Sequence, residues 1–411
     1  MIRTSVAVIG DGPAGTAAAL ALLARGVDVT LIGGRSRARV GEHLPPRAWP
    51  ALETLGLRHV TESAALVCHG VESAWGDEQA ARRDYLFSPW RVGLNLDRAA
   101  FDQALRTEVV DRGGRVLALR PARELHRLRS AWQVRLADGT AVEASFLVDA
   151  SGRAAWVGRR AGARLVADDH LVGWWVRLRP RDPPNDASLH VGAAPDGWWY
   201  AAPLADGTVA AAWMTDPDLL PPRLRGRDGW FRHLASSSQL SSPVKDAQVV
   251  ALQVVPARSQ LLEPSAGPGW LALGDAAAAF DPLSSSGIAK ALDDALTAAD
   301  ILTQALCGNP AVEGVWVARV RRAFGSFLAQ RHAYYALERR WVDRPFWQRR
   351  GVAGRYGDAF LVVDRRPPAV ATMAAHWSPP SPGALGRPQA DHDAKRSDGA
   401  VAETAPPRHP R

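Results

Sequence analysis

The apolar run Ser5-Val6-Ala7-Val8-Ile9 ends directly on Gly10-Asp11-Gly12-Pro13-Ala14-Gly15. An alanine- and leucine-rich stretch follows from Pro13 to Arg25, Gly26 closes it, and Val27 to Ile32 is apolar again. Strand, glycine turn, helix and strand in that order predict the right-handed crossover unit of a Rossmann-like α/β fold. Gly10, Gly12 and Gly15 allow a tight turn, close approach of backbone to a pyrophosphate, and close packing of helix on strand. Pro13 and Ala14 open the helix, whose free N–H groups and positive dipole end favour phosphate. The turn therefore predicts a bound dinucleotide. One customary part is missing. The second strand of such a unit usually ends on an acid that binds the adenosine ribose, but Ile32 is followed by Gly33 and Gly34. Arg35 or Arg37 is expected to contact this half of the ligand instead.

Further along, Asp97 is placed to cap a helix from there to Asp111. Trp132–Leu136 and Thr140–Val148, joined through Asp138-Gly139, read as a β-hairpin that ends on Asp149-Ala150-Ser151-Gly152-Arg153. From about 165 to 264 short strand patterns alternate with turns such as Asp196-Gly197 and Asp206-Gly207, which predicts an inserted antiparallel sheet. Rossmann character returns at Trp270–Leu273, and helices are expected over 286–305 and 312–340. The expected division is a dinucleotide-binding domain over 1–164 and 265–310, a β-sheet substrate domain over 165–264, and a basic C-terminal helical segment over 311–375. A disordered tail is expected over 376–411, which has too few large apolar residues to order itself.

Composition narrows the function class. The two cysteines, Cys68 and Cys307, form no disulfide framework, and the eleven histidines show no metal-ligand spacing. No apolar run is long enough to span a bilayer and no signal segment opens the chain, so a cytoplasmic protein is expected. The net charge is +8, and residues 311–375 hold twelve arginines against five acids. That excess reads either as a solvated helix face or as a docking surface for an acidic partner. No nucleic-acid motif accompanies it.

A second glycine-containing turn gives the dinucleotide an identity. Gly274-Asp275-Ala276-Ala277 ends the returning strand, and Asp281-Pro282-Leu283-Ser284-Ser285-Ser286-Gly287-Ile288 enters a long helix. An acid at a strand end suits a hydroxyl-rich ribityl chain. A helix N-terminus suits the negative charge of a reduced flavin. Paired with the first turn some 260 residues upstream, this segment predicts FAD.

The two turns, with Asp149–Arg153 and Leu96-Asp97-Arg98, resemble the FAD monooxygenases built like para-hydroxybenzoate hydroxylase, a family that includes the tryptophan halogenases. The resemblance covers about residues 1–350. It implies a glutathione-reductase-type FAD domain with an inserted antiparallel sheet and C-terminal helices. Arg98 and Asp275 would contact FAD, Pro282 would lie on the flavin ring, and Ser286, Gly287 and Ile288 would bring the helix start to it. Gly41-Glu42-His43-Leu44-Pro45-Pro46 resembles the strap that passes the flavin in halogenases, which adds Glu42 to the cofactor contacts.

Gly197-Trp198-Trp199-Tyr200-Ala201-Ala202-Pro203 falls where halogenases carry Trp-x-Trp-x-Ile-Pro. Halogenases also use a lysine after the strap and a glutamate before the turn beside the flavin. This chain has no lysine before Lys245, and Ser284 stands in the glutamate's place. The strap, the Gly-Trp-Trp-Tyr segment and Tyr334-Tyr335 through Glu338, Arg340, Trp341, Pro345, Phe346 and Trp347 are more similar to the flavoproteins that mature tryptophylquinone enzymes. That likeness implies a monooxygenase using O₂ and a reductant, NAD(P)H or reduced flavin, to hydroxylate an aromatic ring. The ring would be a tryptophan of a partner polypeptide, with an acidic partner suiting the basic segment. His43 is the expected proton-handling residue, and Trp199 and Tyr200 the expected pocket lining. Three alternatives stay open. One is a monooxygenase or reductase of a small aromatic or isoprenoid compound, another a halogenase, and the third a flavin-binding assembly factor without catalysis.

Overall fold

The computed structural model describes residues 1–34, 42–220, 227–235, 247–308 and 312–351. Its main elements, in chain order, begin with β1 (Ile2–Ile9), α1 (Pro13–Leu23), β2 (Val29–Ile32), α2 (Arg98–Asp111), β3 (Arg115–Leu117) and β4 (Ala141–Asp149). There follow β5 (Val172–Arg179), β6 (Leu189–Ala194), β7 (Gly197–Pro203), β8 (Val209–Thr215), α3 (Arg227–Ala235) and β9 (Gln248–Pro256). Last come β10 (Trp270–Ala272), α4 (Gly287–Leu306), α5 (Val312–Tyr335) and α6 (Pro345–Gly351).

The central sheet runs β10-β4-β1-β2-β3, all parallel, so the fold is the expected Rossmann-like α/β arrangement. β1 lies in the middle, with Val8 opposite both Val148 and Leu31. Its side chains Val6, Val8 and Ile9 are buried, as a parallel strand covered on both faces requires. α1 is buried along nearly its whole length, and its small alanines let it lie close to the sheet and to α4. The hairpin forms as predicted, Trp132–Leu136 pairing antiparallel with β4. Asp97 caps α2 through its carboxylate, which accepts from the Ala99 and Ala100 amides at 2.9 and 3.2 Å.

Five strands of the second sheet run β9-β5-β8-β7-β6, each antiparallel to its neighbour. The sheet is longer than the stretch from 165 to 264 alone supplies. Gly70–Ala74 adds parallel to β6, and Ala81–Asp84 follows it. The expected helix over 312–340 stops at Tyr335, and Pro345 starts α6 at a helix's first turn, where its missing N–H costs nothing. The tail from 376 and Arg35 both lie outside the described residues. No described helix is long and apolar enough to cross a membrane.

Gly10 fixes how the first turn can be built. Its φ is +116°, and a Cβ there would sit 2.2 Å from the Ala150 carbonyl oxygen. Backbone therefore meets backbone between the ends of β1 and β4. Gly10→Ala combines a disfavoured φ with this overlap and is expected to cost about 2–4 kcal/mol in urea unfolding of the apo-protein.

Candidate cofactor and substrate site

The two sequence turns meet in space. A Cβ on Gly274 would lie 2.8 Å from the Ala14 Cβ, so the turn after β10 rests on the first turn of α1. Gly274 is held by a group that sequence reasoning missed. The buried Lys290 of α4 donates from Nζ to the Gly274 carbonyl at 3.0 Å and pairs with Asp294 at 2.7 Å. The Asp294 carboxylate in turn accepts the Gly274 N–H at 3.2 Å. The available signal was a lysine and an aspartate four residues apart on an otherwise apolar helix face. The neighbouring Asp275 is part-exposed, with Oδ2 3.5 Å from Arg153 Nε.

Asp281 caps the short turn Pro282–Ser284 by accepting the Leu283 amide at 3.0 Å. Burial raises the Asp281 pKa above the ordinary carboxylate value, opposed chiefly by Arg331. Pro282 is part-buried, Ser286 and Ile288 are buried, and Gly287 is exposed, with no heavy atom within 4 Å of where a side chain would begin. The N-terminus of the 20-residue α4 thus opens onto free space beside Pro282. Gly34 and Gly152 are likewise open. Two helix starts, a part-exposed carboxylate and open glycine backbone at Gly34, Gly152 and Gly287 fit the pyrophosphate, ribityl and flavin parts of FAD.

Glu42 and Arg98 are brought together as an ion pair, and Arg98 also bonds Asp102 at 3.3 Å. Burial opposes the charge on Arg98, yet Glu42, Asp102 and, further off, Asp275 outweigh it and hold its pKa above the ordinary value. The strap strand Glu42–Leu44 therefore lies on the same side as the second turn.

His43 meets an obstacle as a proton carrier. Its Nδ1 lies 2.8 Å from Asn95 Oδ1 and its Nε2 2.9 Å from the Tyr85 hydroxyl. Asn95 Nδ2 donates to the Ala187 carbonyl, which leaves its Oδ1 as acceptor and puts the ring proton on Nδ1. The Tyr85 hydroxyl then donates to Nε2. Burial pushes the pKa down to about 4, against the partly compensating bond to Asn95. Both nitrogens are committed and the ring is neutral, which fits a brace for the strap better than a shuttle.

Trp199 and Tyr200 do not line one surface, because successive residues of a strand face opposite sides. Trp199 packs with Trp174, Trp213 and Trp230 beneath α3, which gives it the role of sheet core. Tyr200 faces the other way with Trp198, sharing a cluster with Tyr85, Leu283, Tyr334, Tyr335 and Trp347. Its hydroxyl is buried near the His43 amide but makes no hydrogen bond of normal geometry among the described residues. Trp198 Nε1 donates to the Tyr335 hydroxyl, which donates to Asp281 Oδ2, each at 2.9 Å. That chain ties β7 and the end of α5 to the Pro282 turn.

The basic segment has a structural use. Arg321 pairs with Glu263, Arg331 with Asp168 and Asp169, Arg340 with Glu338, and Arg344 with Asp196. Arg349 and Arg350 share Asp216, and Arg349 also reaches Asp218. Much of the charge that pointed to an acidic partner is met by acids of the chain itself.

Comparison with known proteins decides the family. The FAD binding domain family model matches residues 3–315. The chain belongs to this family. It is an FAD-dependent oxidoreductase, with FAD as its cofactor. It is 32% identical over 356 residues to a protein of Marinomonas mediterranea named as the FAD-dependent oxidoreductase LodB, covering 84% of this chain and 95% of that one. Among solved structures it is similar to the flavin-dependent halogenase CmlS, with TM-score 0.77, 25% identity and coverage of 86% and 68%. It is also similar to QhpG, described as a peptidyl tryptophan dihydroxylase essential for tryptophylquinone cofactor biogenesis, with TM-score 0.67, 26% identity and coverage of 85% and 78%.

Two outcomes follow for this site. Lys290→Met leaves Asp294 buried without its cation and is expected to cost about 3–5 kcal/mol in urea unfolding, with much of the loss recovered by Lys290→Met/Asp294→Leu. For His43, the unfolded ring takes up a proton near pH 6.5 and the folded ring only near 4. Its contribution is complete above pH 6.5 and is lost as pH falls towards 4. Stability should therefore drop across that window by up to about 3 kcal/mol, and His43→Gln should flatten that part of the profile.

Proposed function

We propose that this protein is an FAD monooxygenase that hydroxylates an aromatic ring, and that the ring is the indole of a tryptophan carried on a partner polypeptide. What carries this reading against halogenation is the missing amine. The chain has three lysines, and the one among the described residues, Lys290, is locked into the ion pair beneath Gly274. With Ser284 in the glutamate's place, neither halogenase group is present. The likeness to QhpG over most of both chains supports a peptide-borne tryptophan, and the likeness to CmlS keeps halide as the rival to be tested.

The chemistry that bound FAD would supply is transfer of electrons from a reductant to O₂. Overall, the ring C–H, O₂, two electrons and two protons give a ring C–OH and water. The protein's part is placement. The α1 start would hold the pyrophosphate through Gly10–Gly15, and Arg35 is the candidate for a further contact on the adenosine side. The α4 start at Ser286, Gly287 and Ile288 sets a positive dipole end against flavin negative charge. Asp275 would accept from ribityl hydroxyls, Pro282 would support the ring, and Arg98 paired with Glu42 fixes the strap. The aromatic wall around Tyr200 would exclude water from the ring. An indole is electron-rich, so holding it in line demands more of the site than acid–base help does.

Purified protein with FAD, a reductant and isotopically labelled O₂ tests this. The expected result is gain of labelled oxygen on tryptophan in a polypeptide, with little on free tryptophan or simple phenols. Oxygenation of free aromatics alone would favour a small-molecule substrate. Incorporation of chloride or bromide instead would sink the reading.

A further inference from the structure

The end of β2 lacks an acid because Gly33 stands there, and backbone conformation does not demand that glycine. Gly33 has no positive φ, and it continues the strand pairing. Its N–H donates to the Leu117 carbonyl and its own carbonyl accepts from Arg120, both at 3.0 Å. The space a side chain at 33 would need is taken up by the Asp11 side chain. A Cβ on Gly33 would lie 2.5 Å from Asp11 Oδ2 and 2.8 Å from its Cγ. The middle residue of the first glycine turn has reached across from the end of β1 into the volume that side chain 33 would fill. On its other side stands Arg106 of α2, with Nη1 3.6 Å from the same Oδ2. Arg106 is itself steadied by a 2.8 Å bond to Gln103. The Asp11 and Arg106 side chains are 20% and 22% exposed, so the carboxylate is held in place yet reachable.

We infer that Asp11 binds the ribose hydroxyls of the adenosine half of FAD, replacing an acid at the end of β2. A carboxylate offers about four acceptor positions, and a pairing as long as that with Arg106 leaves most of them for hydroxyl donors. Arg106 also offsets the negative charge that Asp11 brings close to a pyrophosphate. Glycine at 33 and aspartate at 11 thus form a reciprocal pair, in which the acid has moved from one strand end to the next. The inference rests on FAD binding alone and is independent of the substrate.

The test compares FAD with an FAD analogue lacking both hydroxyls of the adenosine ribose, each titrated into apo-protein and followed by flavin fluorescence. The wild-type chain is expected to prefer FAD by about ten- to hundredfold, the size of a hydrogen bond to a charged acceptor. Asp11→Ala should bring the ratio close to one, and Asp11→Ala/Gly33→Glu should restore a preference, since removing the Asp11 carboxylate frees the space at 33. Thermal unfolding of each apo-variant checks folding. If Asp11→Ala does not fold, the near-isosteric Asp11→Asn serves, and its ratio should fall severalfold. A wild-type ratio near one, or a ratio unchanged in the folded variant even with weaker binding of both ligands, overturns the inference.

Discussion

The candidate cofactor site depends on close approaches that a side chain would not permit, and two of them join segments far apart in sequence. At Gly10 the end of β1 meets the Ala150 carbonyl, and at Gly274 the turn after β10 meets Ala14. These contacts let three parallel strand ends and two helix starts converge. Packing alone does not keep the second turn there. Lys290 and Asp294 grip both the carbonyl and the N–H of Gly274 from within α4. A buried ion pair is costly to assemble in an apolar interior, but once made it tolerates the loss of neither partner. It fixes the relation between helix and turn more sharply than apolar contact does.

Much of this was legible in the sequence. The Gly10–Gly15 turn, the returning strand before Gly274 and the Asp97 cap all state their geometry locally, through residue types that only certain backbone shapes accept. What was not legible depends on which residues become neighbours. Trp199 and Tyr200 are adjacent in sequence and part company in the sheet, because a strand sends successive side chains to opposite faces. His43 lies in the expected strap, yet Asn95 and Tyr85, some fifty and forty residues away, settle its proton and its charge. The role of Lys290 as an anchor had the same origin.

The arginine-rich C-terminal segment shows how charge counted along a chain can mislead. A local net of positive charge says nothing about acids that the fold delivers from elsewhere. Asp168, Asp169, Asp196, Asp216, Asp218 and Glu263 all come from the region of the antiparallel sheet or its borders and meet α5, α6 or the turn between them. Exposed pairs of this kind contribute little each. In the Asp216–Arg350 and Asp168–Arg331 pairs both side chains are buried, and these pairs constrain where the helices sit.

The chain of hydrogen bonds from Trp198 through Tyr335 to Asp281 has a consequence in time as well as space. Asp281 is translated more than fifty residues before Tyr335, and the Arg350 that packs over the Tyr335 ring comes later still. During synthesis on the ribosome, the Rossmann half can gather its strands while the turn at Pro282 still lacks its brace. The Pro282 turn therefore acquires its full set of partners only after nearly all of the described chain has emerged, so an unfinished chain can build the Gly10–Gly15 turn before it braces the turn at Pro282.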